Sequence, residues 1–261
     1  MIETKSKSFK NGKVYVLETT DDYPIEVTDT FLPYYTKEAI GRNQNSLKSC
    51  ELGSRAERWM AGVSCMSGCP VRCKFCATGQ LKKWRSLTRD EIIDQFYFVL
   101  SQNLEYAAHC AKEFKINYTR MGEPFLNIEA LKDTIQDITC LYPKTHHYVS
   151  TIGVKDSDFS WIKDNITLQI SLHSLNEEKR NHLIPYKNKM TIKELGQIRT
   201  KSSLKTTLNL TLVDKEDFDI NVLKEYFDPK YFFVKLSPIN KNAVSIKNEL
   251  GEGVIRGINL I

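Results

Sequence analysis

The chain has no apolar run approaching the roughly 20 residues that a membrane-spanning helix needs. Its opening residues, Met1-Ile2-Glu3-Thr4-Lys5-Ser6-Lys7, hold no apolar core of the kind a secretory signal requires. No membrane partner is therefore expected, and a cytoplasmic location is. There is no internal repeat and no low-complexity stretch, which excludes a solenoid or a disordered tail region as the main architecture. A strong charge of one sign is missing as well. The net charge of +5 permits a polyanionic partner without requiring one. With 41% hydrophobic and 26% charged residues, the 261-residue chain can bury a sizeable core as one large domain or a domain with an appendage.

Cysteine is unevenly spread. There is none after Cys140, and of the seven present (Cys50, Cys65, Cys69, Cys73, Cys76, Cys110, Cys140) four crowd into residues 65–76. An odd, clustered set fits metal ligation in a reducing compartment better than a disulfide framework. The run Gly68-Cys69-Pro70-Val71-Arg72-Cys73-Lys74-Phe75-Cys76 places three thiols in one loop at spacings of four and three residues. Three thiolates can hold three irons of a four-iron cube and leave the fourth iron open to a ligand that is not protein. The amino and carboxylate groups of S-adenosylmethionine could chelate that iron, so that the cofactors carry the hard step of making a radical. Two readings compete with this one. One is a zinc site that takes Cys65 as its fourth ligand, although structural zinc sites normally use two separated ligand pairs. The other is a set of unligated thiols.

Hydrophobic periodicity organises the rest. Residues 13–18 alternate and pair with 24–27 as a hairpin across Asp21-Asp22, so that 1–50 reads as a small β-rich N-terminal extension. From residue 58 strands and helices alternate about six times. Strands are expected at 58–64, 114–119, 147–151, 168–172, 206–213 and 232–236. Helices are expected at 89–101, 128–138, 156–163, 176–181, 191–201 and 221–227. Such alternation implies parallel strands with right-handed crossovers. Six units give a partial (βα)6 barrel of α/β class, assigned to residues 51–240, with a C-terminal tail at 241–261. Ligands of such sheets bind at the carboxyl ends of the strands.

Four segments fall at those ends. Arg120-Met121-Gly122-Glu123-Pro124 offers a glycine for close backbone approach and a carboxylate for an ammonium; a plain turn is the competing reading. Val149-Ser150-Thr151-Ile152-Gly153 and Ser171-Leu172-His173-Ser174 offer hydroxyls that suit a ribose or a carboxylate, with helix capping as the alternative. Ser237-Pro238-Ile239-Asn240 offers an amide for a base edge, or a turn. Lys82-Lys83-Trp84-Arg85 with Arg89 mixes basic and aromatic side chains, suited to stacking a base and pairing a phosphate, or simply to a solvated face.

Cys-x3-Cys-x-aromatic-Cys resembles the signature loop of the radical S-adenosylmethionine (SAM) superfamily. Within it, residues 62–240 resemble the adenosine RNA methylases that act at carbon 2 or carbon 8. The resemblance rests on Val63-Ser64-Cys65-Met66-Ser67-Gly68-Cys69, Cys76-Ala77-Thr78-Gly79, Met121-Gly122-Glu123-Pro124-Phe125-Leu126-Asn127, Val149-Ser150-Thr151-Ile152-Gly153, and Ser171-Leu172-His173 through Ile184-Pro185. It implies a radical SAM core with a 4Fe-4S cluster on Cys69, Cys73 and Cys76, and S-adenosyl-L-methionine contacts at Phe75, Gly122, Glu123, Ser150, Ser171, Leu172, His173 and Asn240. It implies a reductant such as flavodoxin or ferredoxin, and an RNA, DNA or nucleotide substrate from whose base carbon a 5′-deoxyadenosyl radical abstracts hydrogen.

The resemblance breaks at methyl transfer. The family uses a cysteine seven residues before the first cluster cysteine, where this chain has Gly62, and a second beyond the last strand, where this chain has none. The family glycine ahead of Met-Gly-Glu-Pro is Arg120 here. Transfer through a methylated cysteine is therefore not expected. The alternatives are a divergent methylase with a stand-in thiol such as Cys50, and a non-catalytic zinc-binding nucleic-acid module. Cys110 and Cys140 are expected to be buried packing residues.

Overall fold

The computed structural model describes residues 1–32, 53–106, 108–212, 217–238 and 242–250. The chain divides into two compact units. One comprises Met1–Ser67 with Arg85–Tyr148, the other Gly68–Trp84 with Val149–Ile261.

The first unit opens with strands β1 (Ile2–Phe9), β2 (Gly12–Glu18), β3 (Pro24–Leu32) and β4 (Arg58–Val63), each antiparallel to the next. β5 (Met66–Ser67) and β6 (Arg85–Ser86) form a separate two-stranded ladder. β7 (Glu113–Tyr118) lies parallel to β4, in register from Arg58↔Glu113 to Val63↔Tyr118. β8 (Thr145–Thr151) follows β7 in the sheet order. Burial alternates residue by residue along β7 and β8, the two-residue period of a strand with one face in the core.

Parallel strands need a crossover, and two helices supply it: α1 (Arg89–Ser101) between β4 and β7, and α2 (Ile128–Leu141) between β7 and β8. α1 starts where Thr88 and Glu91 form a reciprocal capping box, a device worth about 1 kcal/mol. It buries Ile92, Phe96 and Val99 at helical spacing. Its buried Gln95 accepts from Ser64 N at 2.8 Å and donates to Ser64 O at 2.9 Å, which fixes the chain just past β4. On β3, the buried carboxylate of Asp29 accepts from Arg55 Nη2 at 2.5 Å, Trp59 Nε1 at 2.7 Å and Asn103 Nδ2 at 3.0 Å.

The second unit holds three parallel strands in the order β9 (Ile166–Ser171), β10 (Thr206–Leu212) and β11 (Phe232–Pro238). Its helices are short: α3 (Glu177–Leu183), α4 (Ile192–Leu195), α5 (Ile220–Tyr226) and α6 (Ala243–Lys247). Among the described residues no helix is long and apolar enough to cross a membrane.

The α/β class with parallel strands after residue 58 agrees with the sequence reading. Several details do not. Residues 156–163 form turns rather than a helix: Asp156 sits at φ 58°, and the Asp158 carboxylate accepts from Ser160 N at 2.7 Å. Both favour turns over helix. The helix expected over 191–201 is the single turn α4. Its capping box forms, but Arg199 Nη1 takes the Gly196 carbonyl at 2.9 Å, and a Cβ on Gly196 would meet Tyr226 O at 2.2 Å. β1 was not expected, because its Lys and Ser side chains are exposed along the whole strand and leave no apolar alternation to read. Cys110 and Cys140 are exposed, not packed in a core.

Candidate active site

The three-cysteine loop belongs to the second unit, and its path is fixed by backbone contacts. Cys76 N donates to Cys73 O at 3.1 Å, and Lys74 N to Leu183 O, at the end of α3, at 2.9 Å. The segment after the third cysteine folds back so closely that a Cβ on Gly79 would stand 2.7 Å from Arg72 Cα, so that only glycine fits. α6 grips the same loop. Asn242 caps α6 through its Oδ1, accepting from Val244 N at 2.9 Å, while its Nδ2 donates to Phe75 O at 2.9 Å. Asn248, just past α6, donates to Lys74 O at 2.9 Å. Asn242 and Asn248 were not singled out from the sequence. Their sequence signal is the Asn242-x-x-Ser245 cap pattern, which lies in the segment expected to be a C-terminal tail.

Cys69, Cys73 and Cys76 are half-buried, and among the described residues no cysteine forms a disulfide. Among the described residues no three His, Cys, Asp or Glu side chains gather as a site for a single metal ion. The donor set fits an iron–sulfur cube, whose thiolates each take a different iron. The charge around it fits too. Arg180 and Lys189 act electrostatically on Cys73, and cations favour the thiolate that ligation requires. Cys65 is less suited to be a fourth ligand. It is wholly buried at the end of β4, and burial, with the Glu123 carboxylate nearby, pushes its thiol well above the usual range.

Four of the residues implied by the family resemblance come together in the second unit. The Phe75 and His173 rings meet edge to face at 4.7 Å between centroids. Ser150 Oγ and Ser171 Oγ are 3.2 Å apart. His173 is in the left-handed region at φ 62°, an uncommon state for a non-glycine residue, with its backbone held by a bond to Asn209 O at 3.1 Å. Its Nδ1 is buried and has no hydrogen-bond partner among the described residues. Burial, then the Arg180 charge, lowers the His173 pKa to about 3, so the ring is neutral at neutral pH. Leu172 differs from its neighbours: its side chain is fully buried in the core, its N–H donates to Asn209 O at 3.0 Å, and its carbonyl accepts from Ser174 N at 2.8 Å, so it shapes the turn rather than facing a ligand. Asn240 lies outside the described residues, as does Cys50.

Gly122 and Glu123 belong to the first unit. Gly122 has φ 99°, and a Cβ there would meet Met66 Cγ at 2.5 Å, so the Met-Gly-Glu-Pro turn requires glycine. Glu123 is buried and accepts from Phe125 N at 3.1 Å, capping the short turn Pro124–Leu126. The turn is tied to the end of β4 and the residues just past it, since Arg120 N donates to Val63 O at 3.2 Å and Cys65 N to Met121 O at 2.9 Å.

Position 62 is crowded by two side chains. A Cβ on Gly62 would meet Thr28 Oγ1 at 2.2 Å and Arg120 Cδ at 2.9 Å. The Arg120 guanidinium is ion-paired with Glu26, and its Nε is buried without a partner among the described residues. Of the basic–aromatic stretch, Lys82, Lys83 and Trp84 are exposed. Arg85 and Arg89 are not open to a phosphate in the same way: Arg85 pairs with Asp21 and Glu91, and Arg89 with Asp90 and Asp137.

An α/β core that carries a loop of three cluster-spaced cysteines defines a class of iron–sulfur enzymes. Residues 63–224 match the Radical SAM superfamily, and the chain belongs to it. Members use a 4Fe-4S cluster and S-adenosylmethionine. Similar curated proteins include the probable dual-specificity RNA methyltransferase RlmN of Chlorobium phaeobacteroides (strain DSM 266 / SMG 266 / 2430), 34% identical over 163 residues, covering 60% of this chain and 45% of that one. The protein of the same description from Thermotoga sp. (strain RQ2) is 31% identical over 215 residues, covering 76% of this chain and 60% of that one. The chain thus spans about half the length of these relatives. A solved radical SAM methyltransferase from Sphaerobacter thermophilus shares the fold at a TM-score of 0.63 with 20% identity, covering 92% of this chain and 67% of that one.

Proposed function

We propose that this radical SAM chain abstracts a hydrogen atom from a base carbon of RNA or of a nucleotide, and that it passes no methyl group to that substrate through a methylated cysteine, since position 62 holds glycine. One observation supports the second half most: the space a side chain at Gly62 would need is taken by Thr28 and Arg120. The RNA methyltransferase descriptions of the similar proteins support a nucleic-acid substrate. The exposed Lys82, Lys83 and Trp84 offer charge and a stacking surface to such a substrate.

The roles of the chain's own residues follow from their chemistry. Cys69, Cys73 and Cys76 would hold the cluster as thiolates. When bound, the cluster and S-adenosylmethionine supply one-electron cleavage of the sulfonium–carbon bond, which yields the 5′-deoxyadenosyl radical. Phe75 offers a ring face to the adenine. The paired hydroxyls of Ser150 and Ser171 offer a donor and an acceptor to a ribose or a carboxylate, and the backbone of Leu172 lies between Ser171 and His173 to support that turn. The neutral His173 presents its open Nδ1 in a dry environment, where a hydrogen bond is strong. Glu123 would receive an ammonium, Gly122 lets the chain approach it, and Asn240 would read the adenine edge. The electron comes from a partner such as flavodoxin or ferredoxin.

Anaerobic reconstitution followed by reductant, S-adenosylmethionine and RNA tests the proposal. Release of 5′-deoxyadenosine that rises with RNA supports it. A filled cluster that never cleaves the cofactor would falsify it.

A further inference from the structure

Arg180 is fully buried on α3. Its Nη1 donates to Met190 O at 2.7 Å and its Nη2 to Ile152 O at 2.7 Å, while its Nε has no partner among the described residues. The nearest carboxylate oxygen paired with it, Glu177 Oε1, is 3.8 Å away on a partly exposed side chain, and the other oxygen of Glu177 accepts from Ile192 N at 2.8 Å. Lys189, largely buried, donates to Asn181 Oδ1 at 2.6 Å and Tyr186 O at 3.2 Å, both neutral. Two cations are thus held out of water mainly by neutral oxygens. Burying a charge costs several kcal/mol unless an anion compensates it. Besides Glu177, the group that both charges act upon is Cys73, which is an anion once it ligates iron. The geometry brings α3 to the loop: α3 ends on Leu183, whose carbonyl accepts from Lys74 N, the residue after Cys73, at 2.9 Å.

We propose that Arg180 and Lys189 are electrostatic positioning residues for the cluster: their buried charges favour its reduced, more negative state and raise its reduction potential. The proposal rests on the reading of Cys69, Cys73 and Cys76 as cluster ligands, and deepens it. Charge near a cluster is one of the levers by which a protein sets its potential. The two cations differ in kind. The Arg180 fork is fixed by two carbonyls, whereas Lys189 reaches in from an isolated β-bridge with Val154 and holds one amide oxygen and one carbonyl.

The test uses the full chain, reconstituted anaerobically, with iron and acid-labile sulfide measured first and the midpoint potential second. Arg180→Met and Lys189→Met are each expected to disfavour reduction about tenfold, a shift of about 59 mV to more negative potential for one electron. Arg180→Lys, which keeps the charge, is expected to stay near the parent. Should Arg180→Met fail to fold, Lys189→Met decides the outcome alone. Unchanged potentials in filled proteins overturn the proposal and leave the cluster reading standing. A parent chain that takes up no iron with sulfide overturns the cluster reading itself.

Discussion

The Arg120 side chain lies where a side chain at position 62 would stand: Arg120 Cδ is 2.9 Å from the place of a Gly62 Cβ. Compared with what the family resemblance implies, glycine stands at 62 in place of a cysteine and arginine at 120 in place of a glycine. Arg120 is anchored in that space by its ion pair with Glu26. The space beside Gly62 is therefore filled by Arg120 and Thr28 rather than left open.

Restoring the thiol alone is expected to fail. Gly62→Cys forces its Cβ against Thr28 Oγ1 and Arg120, and overpacking of this kind costs about 1–3 kcal/mol. Adding Arg120→Gly removes one of the two obstructions and should recover part of the loss. Chemical denaturation of the single and double variants checks this. Simple additivity of the two substitutions would contradict the shared space.

Removing the α6 grip should loosen the cysteine loop without touching a ligand. Asn242→Ala deletes both the cap of α6, worth about 1 kcal/mol, and the bond to Phe75 O. Iron should then be lost to a chelator several-fold faster than from the parent. Equal rates would mean that the grip is incidental.

The Asp29 carboxylate collects donors from Arg55, Trp59 and Asn103 in a buried place. Asp29→Ala leaves a guanidinium without its partner, and the expected cost is about 3–5 kcal/mol. A fall in the denaturation midpoint of the first unit's signal measures it, and a change below about 1 kcal/mol would refute the assignment.

Acid sensitivity has a definite sign. His147 is buried, with Tyr118 Oη 3.1 Å from Nδ1 and Thr139 Oγ1 3.1 Å from Nε2. Burial, then the neighbouring His146, holds its pKa down to about 3. The unfolded chain binds that proton near pH 6.5, so it takes up more protons than the folded chain below that value. The stabilisation is complete above about pH 6.5 and is lost as the pH falls toward the folded value. Urea midpoints should drop over that window in the parent and drop less in His147→Gln, the remainder coming from His173. Parallel curves would refute the role of His147.

Much of the site was legible because its signals are local. Cys69, Cys73 and Cys76 are spaced for one loop, and Gly122 and Gly79 mark close approaches that no other residue can make. Strand positions followed from two-residue alternation. Other features depend on partners distant in sequence. The charge on Arg180 has meaning only with Met190, Ile152 and Cys73 around it, and Asn242 acts on Phe75, far away along the chain. Asp156 breaks one expected helix through a single dihedral angle, and the other stops where Arg199 takes the Gly196 carbonyl, neither of which periodicity encodes.

The most direct test of the central claim follows two products at once. The reconstituted full chain is given reductant, RNA and S-adenosylmethionine labelled in its methyl group. The account expects 5′-deoxyadenosine to form while no labelled methyl enters the RNA. Labelled methyl in the RNA would contradict it, as would a filled cluster that yields no 5′-deoxyadenosine.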